Sequence, residues 1–277
     1  MSLRAIYYKL TPDMRLLVRK FYYLPSDIYL RITGKKKNMV PDKGDIYIGS
    51  GDFIKQGIHH LDLLKRHTNL KHDSAILDIG CGIGRSAAAL TKYLNSHGSY
   101  EGFDVVKKGI NWCNKNISNN YTNFHFRHVP LKNDLYNKNG NNADEFIFPY
   151  NDSLFDVVFL FSVFTHMQQT EIKHYLNEIF RVMKVGGNCL ATFFIYNEKD
   201  EEYISQYNSF CFPVKREGFR LMDKKVKSAN VAFEEKNLQN IISDSGLKIN
   251  KVVAGYWKNT GNKNELNDFQ DIIVMEK

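Results

Sequence analysis

Apolar residues recur along this chain with two different periods, and the change of period divides it. Near the start, Met14, Leu17, Val18 and Phe21 share one face at helical spacing while Arg15 and Arg19 fall on another. Thr11-Pro12-Asp13 supplies an N-cap, a proline for the first helical position and a first-turn acid, and Pro25 is expected to close the helix. Lys35-Lys36-Lys37 and then Pro41 through Gly51 have loop composition, and a second helix is expected over Phe53–Arg66. From Ala75 onward, strand and helix patterns alternate. Strands are predicted at Ala75–Ile79, Tyr100–Phe103, Phe124–Val129, Phe155–Phe161 and Cys189–Ile195, and helices at Arg85–Leu94, Lys107–Ile117 and Glu171–Met183. Gly246–Trp257 and Phe269–Met275 read as closing strands joined by the polar stretch Lys258–Asp268. Such alternation predicts an α/β protein with a doubly wound, mainly parallel sheet and helices on both faces.

Two units follow: a basic helical extension over residues 1–60 and a body over 61–277, with 197–232 inserted as a cap. The insertion breaks the alternation. Its aromatics Tyr203, Tyr207, Phe210, Phe212 and Phe219 form either a lid over a substrate or the core of a small helical cap.

A hydrophobic content of 43% in 277 residues allows one large core with a modest accessory piece. No apolar run approaches the ~20 residues that span a bilayer, and Met1–Leu10 lacks the apolar centre of a secretory signal. Cys81, Cys113, Cys189 and Cys211 are scattered without a Cys-x-x-Cys pair, which argues against a metal site or a disulfide framework and for a cytoplasmic protein. Nine basic residues against Asp13 and Asp27 put +7 of the net +8 into the first 37 positions. This basic helix is a docked helix with solvated charges, or it reaches an anionic membrane surface as a peripheral contact. A nucleic-acid backbone ranks below the membrane as its partner.

The strongest local signal is Asp78-Ile79-Gly80-Cys81-Gly82-Ile83-Gly84-Arg85, which ends a strand and opens a helix. Its glycines let the backbone turn tightly and approach a ligand, and amides at a helix start favour an anionic group. A dinucleotide fingerprint requires Gly-x-Gly-x-x-Gly, but here the third glycine, Gly84, comes one residue early and Arg85 stands in the fingerprint position. Asp104 ends the next strand, 20 residues beyond Gly84, where an acid can accept hydrogen bonds from both ribose hydroxyls of a nucleoside. Val105 beside it is placed to lie against the base.

With these features the chain resembles the class I S-adenosylmethionine-dependent methyltransferases over roughly Leu61 to Lys277. Phe155 through Met167 is similar to the family's fourth-strand motif, and Tyr175 through Gly187 to the helix and turn before its fifth strand, with Val185 where proline is usual. The resemblance implies a seven-stranded Rossmann-like sheet whose last strand is antiparallel, with S-adenosylmethionine as cofactor. Asp78, Gly80, Cys81, Gly82 and Gly84 would then surround its methionine part, Asp104 would hold the ribose, and Phe161 would lie near adenine or sulfonium. Relatives often place an acid after the third strand to bind the adenine amino group. This chain has Pro130 there, leaving Leu131, Asn133 or Asp134 to substitute.

Where the acceptor must lose a proton, His166 after the fourth strand is the first candidate base and Asp52 in Gly49-Ser50-Gly51-Asp52-Phe53 the second. His166 has the alternative of capping the next helix, and Asp52 of forming a turn. The leading functional expectation is methyl transfer to an O, N or C atom of a small-molecule acceptor. An RNA or protein methyltransferase gripping its partner through the basic segment, and a non-catalytic binding protein of the same fold, are the alternatives.

Overall fold

β1 (Ala75–Ile79), β2 (Ser99–Asp104), β3 (Phe124–His128), β4 (Phe155–Leu160) and β5 (Met183–Phe193) pair in parallel. β10 (Lys248–Val253) and β11 (Asp271–Glu276) complete a seven-stranded sheet in the order β10-β11-β5-β4-β1-β2-β3. β11 runs antiparallel to both neighbours, as the resemblance implied. The computed structural model describes residues 12–47, 49, 51–133, 140–258, 263–264 and 267–277. The expected cap at Thr11 and the adenine candidate Asp134 lie outside them.

Alternation along each strand builds two cores, one on each face. Leu77, Ile79, Val158 and Leu160 face α5 (Gln169–Val182) and α6 (Glu235–Asp244). Ile76, Val157 and Phe159 face the opposite core, which takes in residues of α2 (Phe53–His67), α3 (Arg85–Leu90) and α4 (Lys107–Cys113). The period therefore sends Asp78 and Tyr100, opposite Ile76 in register, to the α2–α4 side. α3 ends at Leu90, short of the expected Leu94, where the Thr91 hydroxyl turns back onto the Ala88 carbonyl at 2.9 Å.

Three expectations are corrected. The first helix, α1, runs Pro12–Ile32 with Pro25 inside it. Its second half is held because the buried Asp27 carboxylate accepts the Lys43 and Gly44 N–H groups at 2.8 and 3.0 Å, fastening α1 to the single turn Lys43–Asp45. The expected boundary at residue 60 falls inside α2, which packs on α3 so closely that a Cβ on Gly57 would lie 2.5 Å from the Arg85 carbonyl oxygen. α2 thus belongs to the body.

The third correction is the insertion, which joins one helical turn, Tyr203–Tyr207, to short strands. Short strands β6 (Ile195–Tyr196), β7 (Val214–Arg216), β8 (Phe219–Leu221) and β9 (Val231–Glu234) form a second sheet in the order β6-β9-β8-β7. Glu217-Gly218, with Gly218 at φ +75°, turns the β7–β8 hairpin. Phe212 packs fully buried with Phe194 and Trp257. Among the described residues no helix is long and apolar enough to cross a membrane.

Candidate active site

The carboxyl ends of the parallel strands open into a cavity of about 610 Å³, the position where open α/β sheets bind ligands. Its floor is made by Asp78–Cys81 after β1, Asp104–Val106 after β2, Val129 and Leu131–Asn133 after β3, and Phe161–Val163 after β4. Tyr47, Gly49, Gln56 and His60 close it on one side, and Tyr256 with Asp268–Gln270 on another.

Asp78 is buried and accepts a 2.6 Å hydrogen bond from the Tyr100 hydroxyl. Burial pushes its carboxyl up to about 8, against the Tyr100 hydrogen bond and with the help of the Asp104 charge. Asp104 accepts the Val106 N–H at 2.7 Å on Oδ1 and the Gly82 N–H at 2.9 Å on Oδ2. Burial raises its pKa too, opposed by those two N–H groups. Each carboxylate oxygen retains lone-pair capacity for a ligand. Neither acid pairs with a lysine or arginine among the described residues.

The glycine loop divides in two. Gly80 and Cys81 line the cavity; Gly82 and Gly84 do not. Gly80 has φ +77°, and a Cβ there would stand 2.4 Å from Val163 Cγ2. Gly84, at φ +76°, is the N-cap of α3, and a Cβ on it would meet Cys113 Sγ at 2.8 Å. Gly82 and Gly84 shape the turn and its packing on α4. Burial raises the Cys81 thiol well above its ordinary value, so it stays un-ionised.

Val105, Leu131, Phe161 and His166 all line the cavity, as expected. His166 ends a single turn, Phe164–His166, after β4. Its Nδ1 lies 2.8 Å from the Ser228 carbonyl oxygen, so Nδ1 carries the proton and Nε2 is the acceptor. Burial holds its pKa below 6.5, keeping the ring neutral at neutral pH.

Asp52 is corrected. It is the N-cap of α2, accepting the Lys55 N–H at 2.9 Å, and this hydrogen bond holds its exposed carboxyl below the usual range. It does not line the cavity. Asp52→Ala is expected to cost about 1 kcal/mol of stability and to leave turnover within twofold; thermal melts and initial rates check both. The inserted segment 197–232 does not line the cavity either; Tyr203, Phe210 and Phe212 pack with Phe194 and Trp257, Phe219 packs on the main core, Tyr207 is exposed, and the segment reaches the site through the Ser228 carbonyl.

Sequence reasoning missed the closing residues. His60 lies in α2, with Nδ1 2.8 Å from Ser86 Oγ and its ring stacked on Phe161 at 3.9 Å and 14°. Burial pushes its pKa down to about 3, so it too is neutral. Asp268 opposes α2 through His59, at 3.8 Å. Burial would raise its carboxyl, but the nearby His59 ring and the Phe269 N–H at 2.6 Å outweigh that and hold it low. A signal existed: Phe53, Gln56, Gly57 and His60 repeat at i, i+3, i+4 and i+7, placing two polar residues on the buried stripe.

Chemically, a buried and a partly buried acid without a lysine or arginine partner, apolar Val105 and Leu131 and a neutral imidazole in the same cavity fit an elongated ligand. That ligand has hydroxyls or positive charge at one end and a flat apolar group at the other.

Comparison with known proteins agrees. A family described as Methyltransferase domain matches residues 70–246. A sterol 24-C-methyltransferase from Gibberella zeae is 27% identical over 173 residues, 62% of this chain but 39% of that enzyme. The chain thus spans well under half the length of such curated relatives. A protein from Pyrococcus horikoshii superposes with a TM-score of 0.54 at 14% identity, covering 90% of this chain and 97% of that one. A geranyl diphosphate C-methyltransferase from Streptomyces coelicolor superposes at 0.51 and 13% identity, covering 85% and 88%. At these identities the superpositions establish the fold.

Proposed function

The chain belongs to the methyltransferase-domain family, and from that premise we propose that it transfers a methyl group from S-adenosylmethionine to an O, N or C atom of a small, lipid-like acceptor. The observation that carries this reading is the meeting, in one cavity, of the buried Asp78 and the partly buried Asp104 with the neutral His166.

Bound S-adenosylmethionine would supply a methyl group already activated by its sulfonium. Asp104 would accept hydrogen bonds from the ribose hydroxyls, Val105 and Leu131 would flank the adenine, and Asn133, which lines the same cavity, would be the residue placed toward the adenine amino group. Asp78, Gly80 and Cys81 would surround the methionine end, where the Asp78 carboxylate would face positive charge. Phe161, fixed by stacking on His60, borders the space between cofactor and acceptor. Tyr256, Phe269 and Met167 give the acceptor end an apolar wall, which suits the kind of substrate named in the sterol and geranyl diphosphate enzymes. Most of the rate comes from aligning the acceptor and excluding water. His166 Nε2 takes the proton that the acceptor gives up as its new bond to the methyl carbon forms.

The cofactor reading is tested by calorimetry and thermal shift with S-adenosylmethionine and S-adenosylhomocysteine. Ligand at ~100 times its Kd should stabilise the fold by about 2.7 kcal/mol; a folded protein that neither ligand stabilises would sink the proposal. His166→Gln should lower kcat by roughly 10²–10⁴ while cofactor affinity stays within about threefold. Because burial lowers the His166 pKa, wild-type kcat should be flat at neutral pH and fall only below 6.5, as the ring gains a proton. The Gln variant should lose that acidic limb.

A further inference from the structure

The basic helix α1 is turned opposite to what its pattern suggests. At 100° per residue, Leu16, Tyr23, Asp27 and Leu30 share one side, and they are partly or fully buried, as are Arg15, Arg19 and Ser26 along its edge. The other side is apolar throughout and faces out: Leu17 is 54% exposed, Phe21 67%, Tyr22 76%, Tyr29 56% and Ile32 80%. A helix that merely covers a core presents the reverse arrangement.

Charge frames this face. Arg15 and Arg19, both partly buried and the latter donating to the Lys43 carbonyl at 3.3 Å, border it along one edge, and Lys20 and Arg31 along the other. Lys35 and Lys36 follow directly, both exposed. The acid of α1 between Met14 and Ile32 is Asp27, which points inward and accepts the Lys43 and Gly44 N–H groups. Asp42 and Asp45 lie beyond the helix and pair with Arg31 and Lys36, and with Lys20, leaving the rim positive. An apolar stripe carrying Phe and Tyr between two basic rims matches the interface of an anionic bilayer, where rings and aliphatic chains sit below the headgroups and cations meet phosphates. A nucleic acid would leave the stripe in water, and a self-associating apolar face has no use for cations on both rims.

We infer that the outward face of α1 is a docking surface for an anionic lipid bilayer. The inference rests on the small-molecule methyltransferase reading and names where the acceptor is met. The turn Lys43–Asp45, on which α1 sits, leads within a few residues to Tyr47 and Gly49 in the cavity wall. Docking therefore holds that wall close to the membrane, and a lipid-soluble acceptor reaches the cavity without crossing bulk water.

Vesicle sedimentation tests it. The full chain should bind phosphatidylcholine vesicles containing about 30% phosphatidylserine at least roughly tenfold more than pure phosphatidylcholine, and half-molar salt should weaken that binding. Leu17→Glu/Phe21→Glu/Ile28→Glu alters exposed side chains only, so melting temperature and S-adenosylhomocysteine binding should hold while vesicle binding falls at least roughly tenfold. Wild-type protein that stays in the supernatant with anionic vesicles at low salt overturns the inference. So does a dimer that the triple variant dissociates, or binding to single-stranded RNA that the variant loses while vesicle binding is unchanged. S-adenosylhomocysteine binding separates the two readings. Binding of the nucleoside without vesicle binding removes the docking surface alone; vesicle binding without the nucleoside removes the methyltransferase reading.

Discussion

Asp104→Ala is expected to weaken S-adenosylmethionine binding by roughly 10²–10⁴-fold. The Asp104 carboxylate has two duties. Within the protein it holds the glycine loop and the β2 end together through the Gly82 and Val106 N–H groups, at 2.9 and 2.7 Å. Toward the cavity its remaining lone pairs would face the ribose of a bound cofactor. Hydrogen bonds to a charged group contribute about 1.5–3 kcal/mol each, so losing two toward the ligand accounts for 3–6 kcal/mol, before any loosening of the loop. Asp104→Asn keeps one oxygen but replaces the other with a donor that opposes an N–H, and should fall between the two. Calorimetry measures the affinity, and melting of the ligand-free variants measures the loop's share. A variant that melts near wild type yet binds within threefold of it would remove Asp104 from the cofactor's partners.

The central βαβ units were legible because their periods are unambiguous: Ala75–Ile79 is a strand in both readings, and Gly84-Arg85 marks the start of α3 in both. The placing of Asp78, Asp104, Val105 and His166 in the cavity wall follows from that legibility, since residues at and just beyond the carboxyl ends of parallel strands border the cleft. The orientation of α1 was not legible. Periodicity tells which residues share a face; it does not tell which face meets the body, and the usual preference would bury Phe21. What decides here is polar and steric: Asp27 satisfies two backbone N–H groups, and a Cβ on Gly44 would lie only 3.0 Å from Lys20 Cα, an approach that fixes the Asp27 side inward. The same holds for His60 and Gln56. Their burial depends on α2 lying against α3 across Gly57, a contact between segments that no local pattern encodes. Asp52 went astray because one residue type serves both turns and active sites; with α2 beginning at Phe53, the N-cap reading wins.

Asp78 links cofactor binding to pH. Its folded pKa of about 8 lies above the ordinary 3.8, so between those values the folded chain holds a proton that the unfolded chain has released. Ligand-free stability from this group is therefore present in full below pH 4 and is lost as pH rises toward 8. A cationic ligand against the carboxylate lowers its pKa again, so binding below pH 8 expels that proton. Affinity for S-adenosylmethionine should rise close to tenfold per pH unit up to about 8, or roughly 100-fold from pH 6 to 8, and level off above. The ligand's own amino group, near 7.7–8.0 in model compounds, titrates in the same region, so the informative quantity is the difference between wild type and Asp78→Asn. The variant keeps an oxygen for the Tyr100 hydroxyl and has nothing to titrate. Its affinity should be lower at pH 8 and far flatter, its ligand-free stability should lose the decline between pH 4 and 8, and calorimetry in buffers of different ionisation enthalpy should show about one proton fewer released at pH 7. Equal proton release from the two proteins would mean that Asp78 remains protonated against the bound cofactor, acting as a hydrogen-bond donor and not as a counter-charge.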